Sequence, residues 1–155
     1  MLKSAENVRQ YWIAALLLLA TGLSLSLPAR GENALGSVRI QSLLDFNAIL
    51  ITEVDVVFVY DEAVAAQLPT TKGEWYAQKY DLLKEGSRQV DVVTTPVPQG
   101  FDSDSLIMPE NSRAAVRVFA VGYHEAQGTP VHDLTDFESA LIEIDHFGIR
   151  VSSRN

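Results

Sequence analysis

The chain contains no cysteine among its 155 residues, only two methionines and two tryptophans, and 12 basic against 20 acidic side chains. Each scarcity excludes something. Without cysteine there is no disulfide framework, no thiol nucleophile, no thiolate metal site and no cysteine-linked lipid anchor. A net charge of −8 disfavours general nucleic-acid binding, because phosphate recognition needs a basic surface. Charge is not so extreme, nor apolar content so low at 47%, that the chain would stay unfolded. Glycine-rich phosphate loops and the dinucleotide pattern are missing too.

What is present begins with an export signal. Lys3 and Arg9 precede an apolar run from Tyr11 to Leu27, Pro28 ends it, and Ala29-Arg30-Gly31 offers small residues for cleavage before Glu32. Basic start, apolar middle and small-residue exit make a secretory signal peptide over residues 1–31. The alternative is an uncleaved membrane anchor at residues 11–27, near the lower length limit for a span. Either way the location is periplasmic or exported. Residues 1–31 hold three of the basic and one of the acidic side chains, so residues 32–155 carry a net charge of −10. Such charge favours solubility and steers a basic partner.

Residues 32–155 read as one β-rich domain. Val38, Ile40, Leu44 and Phe46 alternate with Arg39, Gln41, Asp45 and Asn47, the period of a half-buried strand. Residues 54–60, Val-Asp-Val-Val-Phe-Val-Tyr, are apolar on both faces and predict a central strand. Further strands are expected over 89–95, 105–108, 113–123, 138–145 and 147–152, the last two joined as a hairpin near Asp145 to Gly148. The fold class that follows is mainly β, a two-sheet antiparallel β-sandwich of transthyretin- or Ig-like type with one α-helix. The helix starts at Thr71-Lys72-Gly73-Glu74, a capping box. It continues through Trp75, Tyr76, Tyr80, Leu82 and Leu83 and stops at Gly86, with one extra short turn allowed within 63–68. Proline, glycine and aspartate break the pattern over 94–105 and again over 125–136.

Chemistry is sparse. His124, His132 and His146 each adjoin an acid, and His124, His132 and Asp133 are weak metal candidates, but neighbours on a strand point to opposite faces and no H-x-H or HExxH spacing occurs. Asp102-Ser103-Asp104 opens like a calcium loop, yet Leu106 stands at its fifth position. No nucleophile elbow surrounds Ser103 or Ser112. No cofactor and no enzymatic activity are expected. Trp75, Tyr76 and Tyr80 on the single helix serve either to cover a sheet or to anchor a protein partner, residue types enriched in both roles. Open sandwich edges are a second docking surface, by strand addition.

The order of these features resembles the TssJ-like periplasmic lipoproteins of type VI secretion systems. The likeness lies in the alternating strand of Ser37 to Ile40, the Phe46-Asn47 turn, the apolar strand ending at Tyr60, the helix of Trp75 to Leu83, and the run Val118-Phe119-Ala120-Val121-Gly122-Tyr123. The resemblance implies an assembly role, docking onto the periplasmic part of an inner-membrane partner without turnover. This chain departs from the family in lacking the lipobox cysteine, so any membrane tether would have to be residues 11–27. The function expected is a non-enzymatic protein-binding component of a bacterial secretion or cell-surface assembly. The alternative is a periplasmic small-ligand or metal-binding domain, with its site in the 125–136 loop or at the open end of the sandwich.

Overall fold

A computed structural model describes residues 33–44, 52–85, 89–124 and 130–154, all within the compact unit Gly31–Asn155. The export segment, the Phe46-Asn47 turn and the Gly86 stop lie outside these residues. Seven strands are present: β1 (Ser37–Ser42), β2 (Thr52–Val59), β3 (Val90–Val97), β4 (Arg117–Tyr123), β5 (His132–Asp133), β6 (Ser139–Asp145) and β7 (Gly148–Ser153). They form two sheets, of order β1-β6-β7 and β3-β2-β4-β5. Between β2 and β3 lie the short helix α1 (Glu62–Ala65) and the longer α2 (Lys72–Glu85). Among the described residues no helix is long and apolar enough to cross a membrane.

Alternation along β2 explains the layers. Val54, Val56 and Phe58 meet Val38, Ile40, Val118, Ala120, Ile142 and Ile144 in the core between the sheets. Val57 and Val59, facing the other way, join Trp75, Leu68, Phe119 and Val121 beneath the helices. A strand covered on both sides needs apolar residues at nearly every position, which is why this segment lacks the usual polar alternation. One residue breaks that rule: Asp55, on the helix side and fully buried.

Strand ends apart, where β3 runs on through Pro96 to Val97 within the segment expected to be irregular and β4 starts at Arg117 rather than at 113, the sandwich agrees with the sequence pattern, with three local differences. The sheets are antiparallel except where β1 runs parallel to β6, Ser37 opposite Ser139 through Ser42 opposite Ile144. Period-two alternation says which face of a strand is buried, but not which neighbour it takes or in which direction. Residues 105–108 do not form a strand. After Gly100, whose φ of 67° turns the chain in a conformation suited to glycine, residues 101–106 lie along β1 as an irregular strap. Ser42 N–H donates to the Phe101 carbonyl, while Ser103 and Leu106 N–H donate to the carbonyls of Ile40 and Val38. The third difference is β5, a two-residue strand inside the segment expected to be loop.

At helix α2 the Thr71 hydroxyl accepts from Glu74 N–H at 3.3 Å, as the capping residues predict. The start of the described chain is fastened at one end of the sandwich: Asn33 Nδ2 donates to the carbonyls of Ser112 and Ala115, just before β4. The opposite end is closed by Ile149, which reaches from β7 across the core to Gly122 on β4. A Cβ built at Gly122 would stand 1.7 Å from Ile149 Cδ1.

Gly122→Ala is therefore expected to destabilise the domain by about 1–3 kcal/mol through overpacking. Ile149→Val removes the clashing methyl, so it should cost less in the Gly122→Ala background than alone. A urea-unfolding double-mutant cycle measures this; additive effects would show that the two residues do not share that space.

Candidate functional site

Helix α2 meets the sheet with an unusual stripe. Its sheet-facing positions are Lys72, Trp75, Tyr76, Lys79, Leu82 and Leu83, spaced as one helical face, with a lysine near the middle. That lysine answers Asp55. Lys79 Nζ donates to Asp55 Oδ1 at 2.8 Å, Trp75 Nε1 donates to Asp55 Oδ2 at 2.8 Å, and the Thr94 hydroxyl from β3 donates to Asp55 Oδ1 at 2.5 Å. Glu53 lies 3.3 Å from the same ammonium. A buried carboxylate left alone is strongly unfavourable, whereas one that accepts three hydrogen bonds and faces a cation is compensated. Burial alone would lower the Lys79 pKa, but the hydrogen bond and charge of Asp55, then those of Glu53, outweigh it and hold the ammonium above its ordinary value. Trp75 completes the attachment, packing edge-on against Phe119 with ring centroids 5.4 Å apart.

Because Trp75 and Lys79 point into the sheet one turn apart, Tyr76 and Tyr80 form the next ridge of the helix. Tyr76 is half-buried. Its ring meets Tyr123 at 90° with centroids 5.4 Å apart, and the Lys79 ammonium sits 5.7 Å from its centre. Burial, followed by the charges of Asp55 and Glu53, raises the Tyr76 phenol above its ordinary range, so it stays a neutral hydroxyl. Tyr80 and Tyr123 are open to solvent, at 74% and 59% exposed. Three tyrosines thus follow one another along one rim.

The same end of the sandwich carries two more apolar groups. Phe147, 82% exposed, tips the β6–β7 hairpin, where Asp145 Oδ1 accepts its N–H at 2.8 Å. Leu43, partly exposed, follows β1 and donates its N–H to the Ile144 carbonyl. The packing of Ile149 on Gly122 brings the start of β7 to the end of β4, and so the hairpin tip to the end that bears Tyr123. Of the exposed large apolar or aromatic side chains among the described residues, only Ile107 lies elsewhere, beside the start of β1.

The residues singled out from sequence separate accordingly. Trp75 is fully enclosed, so its ring cannot act as a surface anchor; it packs the helix onto the sheet because its indole N–H is the partner Asp55 needs. Tyr76 and Tyr80 are brought together, joined by Tyr123 from β4. Of the two roles open to Tyr80, covering the sheet is not the one it takes: its ring is exposed, and Lys79 holds the buried position one turn after Trp75. Tyr123 and Phe147 were missed as surface groups; the signal for both was an aromatic residue at the end of a strand beside glycine. Of the metal candidates, His124 is buried and its carbonyl accepts from the Lys72 ammonium. His132 Nε2 lies 3.1 Å from the Ile149 carbonyl. Asp133 accepts from Arg117 at 3.1 Å and from the Thr135 hydroxyl at 2.6 Å. Burial would raise the Asp133 carboxyl, but the Thr135 hydrogen bonds and the Arg117 charge bring it below its ordinary value. His132 pairs with Ala120, four residues along β4 from His124, which is about 13 Å of strand. Among the described residues no group of three histidine or acidic side chains could hold a metal ion. Asp102 of the calcium-like triplet is engaged by Arg39 through two hydrogen bonds. Residues 125–129 of the loop favoured for a small ligand lie outside the described chain.

No family model matches the sequence, and no curated protein does either. Solved structures do. The T6SS lipoprotein TssJ1 from Pseudomonas aeruginosa is 10% identical over 77% of this chain and 96% of its own, with a TM-score of 0.49. Lip of Serratia marcescens, described as a membrane bound component of the type VI secretion system, is 10% identical over 76% and 97%, with a TM-score of 0.47.

Lys79→Met should strand the buried Asp55 carboxylate and cost about 3–5 kcal/mol. Adding Asp55→Leu removes the stranded charge and should restore most of that stability. Chemical denaturation of the two variants checks this; a double variant as unstable as the single one would deny the pair its role.

Proposed function

We propose that this chain is a non-enzymatic protein-binding component of a bacterial envelope assembly, exported by residues 1–31 and docking through the tyrosine rim of α2 and β4. The observation that carries this reading is the exposure of Tyr80 and Tyr123 on either side of the half-buried Tyr76, on a helix fastened to the sheet by Asp55. Tyrosines offer large area and a hydrogen-bonding tip for little loss of side-chain freedom, and a rigid backing keeps that loss small. The net charge of −10 on residues 32–155 favours encounter with a basic partner surface. Leu43 and Phe147 extend the same end with apolar area. The rim lies at the end of the sandwich opposite Asn33, where the described chain starts.

The setting we infer is a type VI secretion assembly, with the periplasmic part of an inner-membrane component as the first partner to test. It rests on the layout that the sequence shares with TssJ-like lipoproteins. TssJ1 is described as a T6SS lipoprotein and Lip as a membrane bound component of that system. Lacking the lipobox cysteine, the chain would work either soluble after cleavage or tethered by residues 11–27.

Trp75→Ala would not test this reading, since it opens the core. Tyr80→Ala and Tyr123→Ala should each leave stability within about 0.5 kcal/mol, because both side chains are exposed. Combined, they should weaken binding of that partner domain by tenfold or more, about 1.4 kcal/mol, as measured by titration calorimetry. Unchanged affinity in a folded double variant would remove the rim from the interface.

A further inference from the structure

One carboxylate of the α2 attachment reaches the surface. Lys79 sits between two acids, its Nζ 2.8 Å from Asp55 Oδ1 and 3.3 Å from Glu53 Oε1. The Asp55 side chain is fully enclosed, whereas that of Glu53 is 42% exposed. Two carboxylates that share one ammonium leave one negative charge over, and it falls on the side open to water. Glu53 also has a second carboxylate oxygen besides the one at Lys79, so the group has acceptor capacity for a further donor.

Strand register places this charge within the tyrosine rim. Glu53 stands opposite Tyr123 on β4 and opposite Pro96 on β3. Alternate residues share a face, so Glu53 and Tyr123 lie on the helix side with Val57, Val59, Phe119 and Val121. Tyr76 covers them from α2, its hydroxyl 3.5 Å from the Glu53 carbonyl oxygen. Its ring meets that of Tyr123 edge to face, and Tyr123 remains 59% exposed. Lys72 on the same helix is engaged elsewhere, its ammonium on the His124 carbonyl. It stands seven residues before Lys79, about 10 Å of helix, which is about one Debye length in physiological salt.

We propose that Glu53, framed by Tyr76 and Tyr123, receives an arginine side chain of the protein that docks on the rim. This rests on the rim being the docking surface and names the partner group that it selects. Charge complementarity sets the sign: the surplus carboxylate attracts a cation and repels an acidic group at that point. Aromatic faces are negative at their centres, so the rings favour the same sign. Shape sets the residue. A planar guanidinium can direct one edge at the carboxylate while its face lies on the Tyr123 ring, which a compact ammonium cannot do. The rings supply contact area, and Glu53 supplies discrimination against partners with the wrong charge there.

The probe is N-acetylarginine amide, added to the protein as isolated from cells, to about 50 mM at constant ionic strength, a range suited to one exposed ion pair with one ring contact. Its uncharged near-isostere N-acetylcitrulline amide is the control. Arginine should shift the ring resonances of Tyr76 and Tyr123 and the amide of Glu53 in NMR spectra, with a slope about threefold or more above that of citrulline. Glu53→Gln keeps an oxygen for Lys79 and removes the surplus charge, so it should bring the arginine slope down to the citrulline one. Glu110→Gln removes the same charge at the Asn33 end, where Glu110 is exposed two residues before Ser112, and should change nothing. Shifts scattered away from the rim, equal slopes for arginine and citrulline, or an unchanged arginine slope in folded Glu53→Gln would each overturn the proposal. An equal slope with N-acetyllysine amide would overturn arginine as the selected group. The probe needs no partner, so its failure removes the arginine contact alone; the rim as an interface stands or falls on titration of the partner domain.

Discussion

A buried carboxylate at the middle of β2 governs how the helical layer is attached. Asp55 sits on a strand covered on both faces, between the apolar Val54 and the unbroken apolar run Val56 to Val59. It is tolerated there because three donors converge on it, two of them from α2. Hydrophobic contact alone would let a short helix slide or rotate on a sheet, since apolar burial is non-directional. Hydrogen bonds from Trp75 and Lys79 fix both the rotation and the axial position of α2. The placement of Tyr76 and Tyr80 is a geometric consequence of those two bonds.

Polar satisfaction and edge protection organise the rest. Asn33 fastens the entry of the chain to the carbonyls before β4, and residues 101–106 occupy the outer side of β1. Among the described residues these devices leave an aromatic rim of Tyr76, Tyr80 and Tyr123 at one end of the sandwich.

Much of this fold was legible in the sequence because periodicity reports burial directly. The alternation at Val38 and Ile40, the continuous apolar run of β2, the capping residues before α2 and the hairpin at Asp145 to Gly148 all carried local signals. What was not legible depends on pairing across long separations. The parallel union of β1 with β6 joins residues about a hundred positions apart, and side-chain alternation is blind to strand direction. The strap over β1 looked like a strand at residues 105–108 because its apolar spacing was real, while its bonding to β1 is one-sided and irregular. At the site, Trp75, Tyr76 and Tyr80 stood out by residue type. Their division into one core ring and two rim rings required knowing that Asp55 faces the helix and recruits Lys79 into the buried stripe.

The most direct measurement of the account is residue-resolved hydrogen exchange on the wild-type protein and on Asp55→Ala. If Asp55 holds α2 in place, the amides of Trp75 to Leu83 should lose about 3–5 kcal/mol of protection, while β6 and β4 retain most of theirs. Equal loss across strands and helix, or an unchanged helix, would contradict the claim that this carboxylate attaches α2 and sets the rim.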